Sequence, residues 1–229
     1  MDAVDRTESV AASRRRARRF LRAFARAPGV SDLPSVSQLA REKRDPYRIL
    51  VATWISLRTK DNVTLAASKR LLALAPNPKA LAALSQQKIE RAIYPVAFYR
   101  VKSRDLRAAA RRLVDDYNSV VPDRVEELVT FRGVGRKTAT LVVSLGYGRD
   151  AICVDTHVHR VSNRTGLVHT RNPHQTEFRL MAILPRGQWI GINETLVRFG
   201  QKVCRPVSPI CSACPARSFC PQVGVGRHR

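Results

Sequence analysis

Four cysteines lie within 17 residues, Cys204, Cys211, Cys214 and Cys220, in the spacing C-x6-C-x2-C-x5-C. Thiolates this close can converge on one centre while the intervening loops turn back, which is metal chemistry. Disulfides are the plain alternative, and they fit poorly in a chain that shows no secretory signal. Structural zinc usually takes its ligands as two short-spaced pairs, and here only Cys211 and Cys214 form one. On donor chemistry alone, zinc and an iron–sulfur cluster both stay open. The fifth cysteine, Cys153, sits in the apolar run Ala151-Ile152-Cys153-Val154 and reads as a small buried hydrophobe.

A second constellation is Gly133-Val134-Gly135-Arg136-Lys137-Thr138. Two glycines two apart permit backbone conformations that a side chain would forbid, so amides there can converge on an anion. A helix is expected to start at once, with Arg136, Lys137 and Thr138 in its first turn and Ala139, Val142 and Val143 behind. A helix start of this kind holds phosphate without reading bases. Upstream, Asp123 and Glu126 have the spacing of a capping box opening a short helix with Val125, Leu128 and Val129 on one face. A lone G-x-G marks only a turn. Between two amphipathic helices in a strongly basic chain it points to nucleic acid.

Lys137 fits poorly at a helix start, where the macrodipole is already positive. Its plain reading is a long stem carrying a cation to phosphate. The sharper reading is an amine nucleophile. An ordinary lysine, with a pKa near 10.4, is only about one part in a thousand neutral at neutral pH, a penalty of roughly 4 kcal/mol. The dipole, Arg136 and burial against a ligand all work to lower it. Downstream, Val154-Asp155-Thr156-His157 places an acid after an apolar run, followed by Arg160, Asn163 and Arg164. Asp155 suits either a helix N-cap or a catalytic carboxylate, and His157 and His159 read as surface or packing residues.

The elements that position these groups follow a period near 3.6, with few runs of strict alternation. Ala17, Phe20, Leu21 and Phe24 mark a first helix. Asp45-Pro46 supplies a cap and a first-turn proline before Tyr47, Leu50, Val51, Trp54 and Ile55. Thr59 to Asn62 reads as a break, and Val63 to Leu74 as a helix that Pro76 and Pro78 end. Ser85 caps a short helix with Ile89 and Ile93, and Leu106, Ala110, Leu113 and Val114 line another. Thr176–Leu184 and Ile192–Val203 complete the helical set, before a proline-rich, polar cysteine tail. The expectation is an all-α protein of 229 residues.

Charge names the partner class. Forty-one Lys and Arg against 18 Asp and Glu give +23, a field that gathers polyanions and gains affinity by releasing counterions. No stretch approaches the roughly 18 apolar residues that span a bilayer. The basic cluster Arg14–Arg16, Arg18 and Arg19 lacks a following apolar region, and Asp2, Asp5 and Glu8 argue against a transit peptide. The expectation is a chain with no membrane partner that stays where it is made, cytoplasmic and nucleoid-associated in a prokaryote.

Phe131-Arg132-Gly133-Val134-Gly135-Arg136-Lys137-Thr138-Ala139, then Val154-Asp155-Thr156-His157, then the four cysteines, closely resemble the endonuclease III family in order and separation. The likeness runs from about Asp45 to Cys220. It implies a helix-hairpin-helix DNA glycosylase that also acts as an abasic-site lyase, on double-stranded DNA carrying damaged bases or abasic sites. Within that resemblance, Gly133, Val134, Gly135, Arg136 and Thr138 grip the DNA backbone, Lys137 is the nucleophile and Asp155 the carboxylate. Cys204, Cys211, Cys214 and Cys220 hold a [4Fe–4S] cluster. The implied architecture is a six-helix barrel over residues 41–150, with the hairpin at about 123–146. Residues 151–229 form the cluster domain, against which the N-terminal arm and first helix, residues 1–40, pack. A monomer acting mainly on oxidised pyrimidines is expected.

Three positions depart from the family's bacterial pattern. Arg58, in Ser56-Leu57-Arg58-Thr59-Lys60-Asp61, stands where a glutamine commonly fills the gap left by an extruded base. Phe98 stands where a leucine wedge is usual, and an aromatic ring can wedge between bases too. Arg132 replaces a proline ahead of the hairpin. Two other functions share these motifs: a monofunctional mismatch glycosylase, which resembles this chain but carries another residue at Lys137, and a DNA-binding or redox-sensing scaffold without catalysis. Lys137 weighs against the first, and having both Lys137 and Asp155 weighs against the second.

Overall fold

Prolines and short polar side chains set where helices start, and the computed structural model bears this out over the residues it describes, 9–28 and 32–229. Asp2, Asp5 and Glu8, weighed above against a transit peptide, lie outside them. Helix α1 (Val10–Ala25) starts where the Ser9 hydroxyl accepts from the Ala12 amide at 3.2 Å, and it buries Ala17, Phe20, Ala23 and Phe24 along one side. Helix α3 (Pro46–Ser56) starts as expected: Asp45 accepts from the Tyr47 and Arg48 amides, and Pro46 occupies the first turn, where a missing N–H costs nothing. Every residue from Tyr47 to Ile55 except Arg48 is buried, so α3 is an inner helix.

The other helices are α2 (Ser35–Glu42), α4 (Asp61–Leu74), α5 (Pro78–Ala83), α6 (Gln86–Ile93), α7 (Tyr99–Tyr117), α8 (Val125–Leu128) and α9 (Arg136–Leu141). A π-helical turn, Val142–Gly146, extends α9. Then come α10 (Thr156–Arg164), α11 (Pro173–Ile183) and α12 (Trp189–Lys202). No strand occurs among the described residues, so the chain is all-α, as its periodicity leads one to expect.

Contacts divide the chain into two units. The first joins Met1–Leu33 to Ile152–Arg229, with a core in which Phe20 and Phe24 of α1 meet Val158, Leu180, Leu196 and Phe199. The second, Pro34–Ala151, sets α2, α4, α7, α9 and the π-helical turn against α3, with α5 and α6 packed on α7 and α8 on α9. The π-helical turn lies tight against α3. A Cβ added to Gly146 would stand 2.9 Å from Pro46 Cα, so only glycine lets the turn lie against the start of α3.

One local expectation is overturned and another extended. No capping box opens α8: its N-cap is Arg124 with no side-chain bond, and Asp123 pairs instead with Arg149. The long-range cation outcompetes the local amide. Pro78 does not merely end a helix either, since it opens α5 behind Asn77, whose side chain accepts from the Ala80 amide at 2.9 Å.

Candidate active site and nucleic-acid hairpin

The hairpin is built on Trp54. Gly133 adopts φ +86°, and a Cβ there would stand 3.0 Å from Trp54 Cζ2. A branched residue would therefore meet both backbone strain and a wall of buried indole. Gly135 differs from its sequence reading. It has φ −89° and ψ 172°, a backbone open to any residue, and acts as the N-cap of α9 without a side chain. Nothing lies within 4 Å of a Cβ added there. One glycine makes the bend, and the other leaves open space in front of the helix start. Val134 closes the turn, its amide donating to the Phe131 carbonyl at 3.0 Å, and its side chain is buried.

Arg136, Lys137 and Thr138 occupy the first turn of α9, in the order expected. Arg136 is exposed, Lys137 half-buried and Thr138 buried. Arg132, exposed just before the bend, places Nε 3.6 Å from Asp105 Oδ1, a nearly buried carboxylate that also meets Arg104 at 3.2 Å. That pairing holds the approach to the hairpin where a proline would have stiffened it.

Arg58 and Phe98, far apart in sequence, come together in the same unit. The Arg58 guanidinium carbon lies 5.7 Å from the centre of the Phe98 ring. Both side chains are exposed, Phe98 to 60%. Both backbones are left-handed, at φ +55° and +57°, a strain that costs on the order of 1–3 kcal/mol per residue. An exposed cation and an exposed ring on strained backbone are held out from the fold. What holds them is Lys102, a residue whose sequence context gave it no role. It is only 6% exposed, and its ammonium donates to Ile55 O at 2.8 Å, Leu57 O at 2.5 Å and Thr59 Oγ1 at 3.2 Å, bracketing Arg58. Burial lowers its pKa to about 8.

Asp155 belongs to the other unit. It is the N-cap of α10, Oδ1 accepting from the amides of His157 and Val158 at 2.9 Å each, so the simpler of its two readings holds for that oxygen. Oδ2 takes no part in the cap. The segment before it is pinned by Asn193, whose amide donates to Cys153 O at 3.0 Å. Cys153 itself is buried, as its apolar neighbours imply. Helix α10 then ties Asp155 to the cysteine loop. Arg160 donates to Gly200 O at 2.9 Å and to Cys204 O at 3.0 Å, and Arg164 donates to Arg205 O at 2.5 Å and to Pro206 O at 2.7 Å.

Cys204, Cys211, Cys214 and Cys220 line one cavity, and Arg164 Nη1 lies 3.9 Å from Cys204 Sγ. Burial pushes the thiols of Cys211, Cys214 and Cys220 up, and their cysteine neighbours push them further. Among the described residues no three His, Cys, Asp or Glu side chains form a ready-made grip for an ion. The donor set is nevertheless four soft sulfurs facing one space, the set that either a cubane cluster or Zn2+ takes.

Residues 51–186 match the HhH-GPD superfamily of base excision DNA repair proteins. The endonuclease III of Thermotoga maritima is 40% identical over 195 residues, which cover 81% of this chain and 92% of that one. The chain belongs to the endonuclease III family. It is accordingly a base excision repair DNA glycosylase and abasic-site lyase, and the reading as a non-catalytic scaffold is not favoured. A solved family structure, a trapped endonuclease III–DNA covalent intermediate, superposes with a TM-score of 0.78 at 31% identity, covering 91% of this chain and 96% of that one. The endonuclease III homolog 2, chloroplastic, of Arabidopsis thaliana is 37% identical over 79% of this chain, which spans about half of that longer protein (49%). DNA is the partner that the family's solved complexes hold.

Proposed function

We propose that this chain removes damaged bases, oxidised pyrimidines foremost, from duplex DNA and then cuts the resulting abasic strand through a Schiff base on Lys137. The observation that supports this best is the place of Lys137: the first turn of α9, two residues past the open space before Gly135. A phosphate held at the bend would put a nucleotide's sugar within reach of that amine.

A damaged base pairs or stacks poorly and leaves the helix at lower cost. The neutral Nζ of Lys137 attacks C1′ as the N-glycosidic bond breaks, and the base departs with the electron pair and takes up a proton from solvent. Nζ gives up a proton, O4′ gains one, and the sugar opens to an iminium at C1′. The iminium acidifies the C2′ proton. Its loss expels the 3′ phosphate with the C3′–O bond pair, and water then releases Lys137. Asp155 supplies the negative charge that favours the cationic sugar, through the oxygen outside its cap. Phe98 and Arg58 fill the duplex where the base has left. Cys204, Cys211, Cys214 and Cys220 would hold a [4Fe–4S] cluster, which when bound cross-links a loop too poor in apolar side chains to fold alone.

Borohydride tests the central step, because it reduces a Schiff base to a stable amine. With thymine-glycol or abasic duplex the protein should form a covalent adduct, and Lys137→Ala should form none while still binding DNA. An adduct of undiminished yield in that variant would remove Lys137 from its role.

A further inference from the structure

Helix α1 carries a second basic feature, remote in sequence from the hairpin and used by none of the steps above. Arg15, Arg18, Arg19, Arg22 and Arg26 line a cavity of about 440 Å³, closed on its other side by Pro215 and Phe219 of the cysteine loop. All five arginines are exposed, on the face opposite buried Ala17, Phe20 and Phe24. Like charges three and four residues apart destabilise a helix. Nothing in the described part of this unit relieves them. Its four carboxylates are engaged elsewhere: Asp32 with Lys202 at 3.3 Å, Glu194 with Arg198 at 3.4 Å, Asp155 in its cap, and Glu177 buried. A helix that sets four guanidiniums along one stripe, with a fifth on its C-cap Arg26 and no carboxylate among them, is arranged for an external polyanion.

We propose that this stripe is a second nucleic-acid contact, taking a run of backbone phosphates from a DNA strand. Its length favours a run over a single anion. Arg15 to Arg26 spans about 16 Å at 1.5 Å per residue, and a DNA strand presents one phosphate per roughly 3.4 Å of axis. Its composition favours phosphate, since the guanidinium fork binds phosphate oxygens in pairs. The aromatic floor argues against a base or free nucleoside. The Arg19 guanidinium already covers a face of Phe219, 3.8 Å from its centre, and Phe20 packs against the same ring at 4.9 Å, so no open stacking platform remains. The stripe's role rests on none of the catalytic assignments made above.

The test is the salt dependence of binding to undamaged duplex by the full protein. The triple variant R15Q/R18Q/R22Q keeps Arg19 on its ring, and glutamine is a good helix former. Every phosphate that the protein no longer neutralises lowers the slope of log K against log salt by about 0.9, so a drop of roughly 2 to 3 is expected. The charge-matched control R91Q/R111Q/R171Q, exposed arginines outside α1, should lower it by less than one. Single-turnover excision at saturating protein should be unchanged in both. Equal slopes in triple variant and control would overturn the proposal. So would a triple variant that loses binding of inorganic tripolyphosphate while keeping the wild-type duplex slope, an outcome that assigns the cavity to a small anion.

Discussion

Lys102→Met keeps the stem that fills the space beside α3 and removes the ammonium. Three oxygens, Ile55 O, Leu57 O and Thr59 Oγ1, lose their donor, at about 1 kcal/mol or more each when left unsatisfied. Against this stands the cost of keeping a buried charge. A shift from 10.5 to about 8 corresponds to roughly 3 kcal/mol, borne in full below pH 8. The two nearly cancel, so stability at pH 7 should change by no more than about 1–2 kcal/mol. The pH dependence should change more. Between about pH 8 and 10 the unfolded wild type binds more protons at this lysine than the folded protein does, so its stability climbs with pH there. The variant should lack that climb. Tyr47, whose phenol burial pushes above its ordinary range, acts above pH 10 and is common to both proteins. Function should suffer by a comparable free energy. With the clamp gone, the left-handed backbone at Arg58 can relax, and single-turnover excision should fall about tenfold, the equivalent of roughly 1.4 kcal/mol of released strain. Binding to intact duplex should hold. Denaturant titrations across pH 7–10 and single-turnover excision decide the matter. Wild-type excision in K102M, together with an unchanged pH slope, would refute the clamp.

The other expectations concern the hairpin, the wedge and the cysteines. Gly133→Val should weaken binding to intact and damaged DNA alike and lower stability by about 1–3 kcal/mol, since its φ is strained and Trp54 blocks the side chain. Arg58→Ala and Phe98→Ala should instead slow excision and reduce lesion preference, with little effect on intact duplex; equal losses on both DNAs would make Arg58 a plain phosphate contact. Purified protein should be yellow-brown from thiolate-to-iron charge transfer, and Cys214→Ser should lower both colour and soluble yield. Colourless protein with one zinc per chain would refute the cluster.

Much of this was legible in the sequence where a local rule acts alone. Asp45-Pro46 could only open a helix, and α3 starts there. The hairpin and the cysteines could be read because their chemistry needs fixed short spacings. Legibility failed wherever a distant partner decides. A lysine in a helix reads as solvated, and nothing near Lys102 announces the three oxygens it meets more than forty residues away. Asp123 has the spacing for a cap, but Arg149 claims it. Gly133 and Gly135 look alike in sequence, and only the indole of Trp54 separates a glycine required by its backbone and its neighbour from one whose space is simply open. Pro78 could have ended one helix or begun another, and the choice lay with the capping side chain of Asn77.

Helix α1 also raises a question of timing. It emerges early from the ribosome, yet the residues that bury Phe20 and Phe24 belong to the segment from Ile152 onward. Roughly 120 residues must be added before the first of those partners exists, about 6 to 25 s at 5–20 residues per second. By its end Pro34–Ala151 is complete and can fold as one contiguous piece. The two phenylalanines meanwhile stay in water, flanked by the arginines of the same helix. Those like charges keep nascent chains apart, so the stripe that can hold DNA in the finished protein can also act as a solubility tag during synthesis.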